Sequence, residues 1–292
     1  MTLPQSSVRH YQQQQILSVE TATEVTSIWA GMTNEFDRSW ASIAPAVVEA
    51  TSAGQYAAAV SGAQYVGAVI AETDVDAPAV ARVVPIRFAG GSIDGGSLET
   101  LLVGAVYKAK EYVGTGMAAE AALREAGTWL QDVVMEAVRD ADRQAVGAGM
   151  TVRPRLQGWV RMLNPPSCKF CIGLAGKWFQ WNQGFQAHPH CDCRHIPSQE
   201  SDAGDYQINA GAYFRSLGAE EQDRIFGTND AQAIRDGADI NRVLNTRIRG
   251  YSAKQLRIDP DLMTVDHIYA QAKSRDQAIA LLQANGFVAP TL

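Results

Sequence analysis

Apolar side chains at Ile16, Val19, Ala22, Val25, Trp29 and Met32 recur every three or four residues, with polar residues on the opposite face. That period predicts a helix across residues 11–32. Similar patterns predict helices over 36–51 and 55–72. The stretch 72–96, rich in proline and glycine, breaks the period and reads as an extended connector. Ser97 suits the cap of a helix running to about residue 113, because its hydroxyl can accept a first-turn N–H. The most regular pattern follows Gly114 and Gly116. Leu123, Ala126, Leu130, Val133, Ala137, Ala141 and Ala145 form one stripe, while Arg124, Glu125, Asp132, Glu136, Arg139 and Asp140 fill the other face. Gly147 and Gly149 are expected to end this helix. Its small apolar residues predict close packing against an antiparallel partner.

After residue 151 the texture changes. A β-prone run at 158–163 stops at Asn164-Pro165-Pro166, and a second aromatic run, 177–181, precedes a turn at 182–184. Short helices return from about residue 201, around 219–226, 230–236 and 274–285. Gly227, Gly237 and Gly286 end them, and Ser274 with Gln277 has the spacing of a capping box. The pattern implies a mainly α chain with a small β-rich, metal-binding knob, an α+β class. Three segments follow from it: a helical bundle over 1–150, a knob over 151–200 and a short-helix region over 201–292.

Composition narrows the setting. The chain has 292 residues, of which 46% are hydrophobic and 19% charged, as in ordinary globular proteins. The longest weakly polar stretch, 57–71, is short and interrupted by Ser61 and Gln64, so it reads as a buried helix and no membrane partner is expected. The first residues lack a secretory pattern, which points to a reducing cytosol. The net charge of −6 divides into −8 over 1–150, +4 over 151–200 and −2 over 201–292. An acidic chain is a poor general DNA binder, although its basic segment permits a local acidic partner.

That basic segment holds all four cysteines and three of the five histidines within residues 168–195. Cys168-x-x-Cys171 is a spacing that aims two thiolates at one cation, and a second pair about 20 residues on completes a tetrahedron. Six donors compete: Cys168, Cys171, His188, His190, Cys191 and Cys193. Alternation along a strand lets Cys191 and Cys193 face one side with Asp192 turned away. Four thiolates are the simplest set, and His188 in place of one cysteine of the second pair is the main variant. Zinc suits either set, as a structural ion; two disulfides are the competing use of the thiols. No glutamate lies between Leu163 and Ile196, so a general base for catalytic zinc is missing from the segment. The aromatics Trp159, Trp178, Phe179, Trp181 and Phe185 are expected to pack the knob. His195 with Arg194 reads as a solvated strand end, and Asp266-His267 as surface or capping chemistry.

The order Cys168-x-x-Cys171, Leu174-Ala175-Gly176, Lys177-Trp178 and His188-Pro189-x-Cys191-x-Cys193 resembles the Mu-type minor head protein family of tailed bacteriophages. That family's hallmark is a His-Pro-x-Cys-x-Cys ending. Segments 213–217, 221–226 and 233–239 look like the C-terminal continuation seen in phages of actinobacteria, so the likeness covers residues 150–250. Asp192 departs from it, standing where the family commonly has arginine. The resemblance implies a non-enzymatic, low-copy head protein in the virion, assembled in the host cytoplasm. Its expected partners are the portal and the major capsid or scaffold proteins, with at most a weak contact with phage DNA. Residues 1–150 would supply the docking surface. Two other classes compete with this reading. One is a metal-dependent nuclease using His188, His190, His195 or His267. The other is a DNA-binding module using Arg153, Arg155, Arg161, Lys169, Lys177 and Arg194.

Overall fold

Helix α1 (Gln5–Trp29) starts earlier than the apolar period implies, and for most of its length it buries a different face. Ile16 and Val19 are 57% and 48% exposed, while Ser6, Ser7, His10, Gln14, Ser18 and Thr21 point inward. The apolar stripe governs only from Ala22 onward, where Val25 and Trp29 enter the core. The Glu72 carboxylate accepts the Gln5 and Ser6 N–H groups at 2.6 and 2.8 Å, tying the start of α1 to the end of its neighbour. The structure is a computed structural model and describes residues 3–163, 167–185, 187, 191, 193–206, 209–235, 240, 268, 270–284, 286 and 288–290.

The two helices expected over 36–72 are one, α2 (Phe36–Glu72), which runs through Pro45. Packing against α1 and α5 on either side outweighs the weak local propensity around Ser52 and Gly54. The connector is extended as expected and carries β1 (Ala81–Val83) and a 3-10 turn at Pro85–Phe88. Ser97 caps α3 (Leu98–Leu102), its hydroxyl accepting the Thr100 N–H at 3.1 Å. The chain steps at Val103 into α4 (Gly104–Gly114), so the single helix expected there is two. Helix α5 (Ala119–Thr151) continues past Gly147 and Gly149 instead of ending at them. A Cβ at Gly149 would lie 3.0 Å from Val66, so this glycine serves close helix approach and not termination.

Helix α5 runs antiparallel to α1, as Trp29 bonds the Leu123 carbonyl and His10 meets Asp142. It runs parallel to α2: Gln55 reaches the Ala137 carbonyl, and Gly149 abuts Val66. The expected antiparallel partner therefore exists, but a parallel one lies beside it. The bundle core of Ala22, Trp29, Trp40, Val47, Leu102, Val106 and Leu130 passes into a second cluster, where Val66, Val69 and Met150 meet Leu156 and Trp159.

Trp159 belongs to β2 (Gly158–Met162), the centre of a three-stranded antiparallel sheet. On one side it pairs with β3 (Trp178–Gln180) and on the other with β4 (Arg194–Ser198), with Arg161 opposite His195. Helix α6 (Lys169–Leu174) joins β2 to β3. Beyond the sheet lie α7 (Ala210–Ser216), α8 (Ala219–Phe226) and α9 (Thr228–Arg235). Gly227 ends α8 with φ of 87°, as expected; Gly237 lies outside the described residues. Helix α10 (Arg275–Ala284) starts at the anticipated cap, Ser274 accepting the Gln277 N–H at 3.2 Å. Strand β5 (Val288–Pro290) then pairs antiparallel with β1. The chain is thus α+β, a helical bundle carrying a small sheet. Among the described residues no helix is long and apolar enough to cross a membrane.

Candidate metal centre

Cys168 is the N-cap of α6, and its sulfur accepts the Cys171 N–H at 3.4 Å. Cys191 and Cys193 arrive from the other direction, just ahead of β4. The sulfurs of Cys171, Cys191 and Cys193 lie within 4.8 Å of one another, and all three residues are buried. Cys171 and Cys191 are 3.6 Å apart. Sulfurs around a tetrahedral zinc, each about 2.3 Å from the ion, are themselves about 3.8 Å apart, so these three fit such an ion. The alternative of two disulfides is not formed: none of the four cysteines is disulfide-bonded, and a bonded pair would be about 2.05 Å apart. Cys168 is half-buried at the edge of the same cluster, with Cys171, Ile172, Phe214 and Phe226. His188, His190 and Asp192 lie outside the described residues.

Two guanidiniums face the thiols. Arg161, 1% exposed, stands 3.9 Å over the Phe185 ring, with Nη1 4.0 Å from the Cys191 sulfur. Arg143 donates to the Cys191 carbonyl and is fixed by Glu136 at 2.7 Å and Asp140 at 2.8 Å. Hydrogen bonds from the Cys171 and Cys193 thiols hold Cys191 far below the ordinary thiol pKa, and the charges of Arg143 and Arg161 add to this. Thiols bind a metal as thiolates, so an ion here would release their protons to solvent, and the two guanidiniums favour the anionic form of Cys191.

Behind the thiols lies a layer of buried charge that the apolar pattern did not reveal. Asp142, 0% exposed, bridges His10 Nε2 at 2.9 Å and Arg194 Nε at 3.3 Å. The His10 ring stacks on Tyr65 with centroids 4.0 Å apart, and its Nδ1 is 3.2 Å from the Ser61 hydroxyl. Tyr65 donates to the His195 carbonyl at 2.7 Å, and Ser7 donates to Tyr65 at 2.7 Å. The available signal was the spacing of Ser7, His10, Gln14, Ser18 and Thr21, a polar stripe at helical period on α1.

Arg194 and His195 are not a solvated strand end: both are buried. His195 packs edge-on against Trp159, and burial, then Arg161, Arg143 and Arg194, push its pKa well below 6.5. Trp159 stacks on Phe179 and Phe185 at 4.4 and 5.2 Å, which is the knob packing expected of the aromatics. Of the basic residues considered for DNA, Arg161 and Arg194 are interior. Arg155 pairs with Asp76, and Lys169 lies 3.7 Å from Asp230. Asp266 and His267 lie outside the described residues.

No curated protein and no solved structure matches this chain. The model of the VG15 protein family matches residues 1–215, a span that takes in the bundle, the sheet and all four cysteines together. By that match the chain belongs to the VG15 protein family, a family of viral (phage) proteins.

Proposed function

We propose that this phage protein is a minor head component that acts in procapsid assembly beside the portal, its knob pinned by a structural zinc ion. Portal and major capsid or scaffold proteins are its partners, and the virion interior at the portal vertex is its location. The observation that carries the reading is the convergence of three buried thiols beside Arg143 and Arg161. Cys168 is the fourth ligand available among the described residues, and His188 is the variant. A closed, buried, all-thiolate ion holds chain segments together and offers no open place to substrate. The carboxylates described near it are engaged, Glu136 and Asp140 with Arg143 and Asp142 with His10 and Arg194, which also argues against a catalytic role.

Nuclease chemistry at His195 is disfavoured by its burial against Trp159 and Phe185. Elemental analysis of the purified chain should give one zinc per molecule. Cys168→Ser and Cys193→Ser should lose it together with cooperative melting, and the wild-type chain should copurify with portal or procapsid. Full folding without metal would end the zinc reading. Metal-dependent DNA cleavage abolished by His188→Ala, His190→Ala or His267→Ala would replace it with the enzyme.

A further inference from the structure

Over residues 5–21 the buried positions of α1 are Ser6, Ser7, His10, Gln14, Ser18 and Thr21, none of them apolar. A helix ordinarily adheres to its bundle through an apolar stripe. Here that stripe begins only at Ala22, so the earlier turns depend on other contacts. The apolar contacts of this stretch lead to the sheet: Leu3, Val8 and Tyr11 pack against Val160, Met162, Ile196 and Ala203. Two of the polar routes lead to β4 as well, while Gln5 and Ser6 bond Glu72, His10 meets Ser61 and Gln14 meets the Ala58 carbonyl, all on α2. His10 reaches Arg194 through Asp142, and Ser7 reaches the His195 carbonyl through Tyr65. Arg194 directly follows Cys193 in the chain, and Arg161, opposite His195 in the ladder, faces the Cys191 sulfur.

We infer that the thiolate centre is a latch for the first helix. A metal ion on Cys171, Cys191 and Cys193 fixes the start of β4 and so docks residues 5–18 of α1; emptying the centre releases that segment while the rest of the bundle stays folded. The inference rests on the metal reading proposed above. Without the ion, the start of β4 loses its tie to Cys171 on α6 and is left, among the described residues, with its ladder to β2, the Arg143 bond to the Cys191 carbonyl and the Arg194–Asp142 pair. Asp142 then loses Arg194. A fully buried carboxylate without its cation is driven toward water. Two helices cover it, α1 through His10 and α2 at Gly62, and of the two α1 has no apolar stripe over this stretch. The stretch 122–138 of α5 has no such dependence, because it is held by the apolar core with Val25, Trp29, Leu102 and Val106.

The test uses the full chain under reducing conditions, zinc-loaded and then chelated, followed by amide hydrogen exchange. Chelation should speed exchange in residues 5–18 and 194–198 by about tenfold or more and leave 122–138 protected. Arg194→Met should keep one zinc per chain by elemental analysis and show the same fast exchange in 5–18. Tyr65→Phe, which removes only the hydroxyl between Ser7 and the His195 carbonyl, gives the same readout should Arg194→Met not fold. Unchanged protection of 5–18 after the metal leaves overturns the latch, as does loss of 122–138 along with it. Protected 5–18 in a zinc-loaded Arg194→Met or Tyr65→Phe chain overturns it too. A chain that never binds metal sinks the metal reading and the latch together, whereas a loaded centre that leaves α1 indifferent sinks the latch alone.

Discussion

Asp142 sits wholly out of water between an imidazole and a guanidinium. Burial of ions is costly, and it is offset here by opposite charge at ion-pair distance, although His10 Nε2, Arg194 Nε and both carboxylate oxygens lack hydrogen-bond geometry. Removing one member strands the others. Asp142→Ala is therefore expected to destabilise the chain by about 3–5 kcal/mol in equilibrium denaturation. A double variant, Asp142→Leu with Arg194→Met, should recover part of that loss, since apolar groups of similar volume do not need each other's charge. If the double variant is worse than the single one, the cluster contributes more than mutual neutralisation. The thiols could be read from their spacing alone, because metal ligation imposes a local grammar on the chain. This ion cluster could not, because its members lie 52 to 184 residues apart from one another, and only the fold brings them together.

Helices α2 and α5 approach each other closely where the buried carboxylate is held. A Cβ at Gly62 would stand 2.7 Å from Asp142 Oδ1 and 2.9 Å from the Asp142 carbonyl oxygen. Neither can yield: one is backbone inside a helix, and the other is fixed by His10. Gly62→Ala is expected to cost about 1–3 kcal/mol through forced separation of the two helices, despite the better helix propensity of alanine. Melting of that variant at the wild-type temperature would mean that the helices part without penalty. The same closeness explains which elements were legible. Helices with a continuous apolar stripe, such as α5, could be placed from the sequence because burial follows the period. Its end at Thr151 and the unbroken run of α2 could not, because glycines that look like stops locally act as contact points in the packed bundle. Helix α1 was the reverse case. Its apolar residues Ile16 and Val19 marked the outer face, since the inner face is matched to buried polar partners.

At the scale of the whole molecule, the C-terminal region returns to the junction of bundle and sheet. Arg275 donates to the Arg153 carbonyl at 2.5 Å and to that of Leu156, with its guanidinium 4.4 Å over the Trp181 ring. Ala278 and Leu282 are buried with Phe88, Ala148 and Val152, and β5 pairs with β1. The end of the chain therefore closes over the point where α5 gives way to β2. Leu282→Ala should cost about 2–5 kcal/mol, as for other fully buried leucines. Deleting residues 273–292 should cost more, because it also removes the β1 partner strand and the two bonds from Arg275. The deletion should be read by thermal melting together with hydrogen exchange. Faster exchange is expected in residues 81–83 and 148–156, with residues 22–29 and 98–109 keeping their protection, since their core lies at the other end of the bundle. A truncated chain with the wild-type melting temperature would make α10 and β5 a passive appendage, and the stability of the junction would then have to come from Trp159, Val66 and Met150 alone.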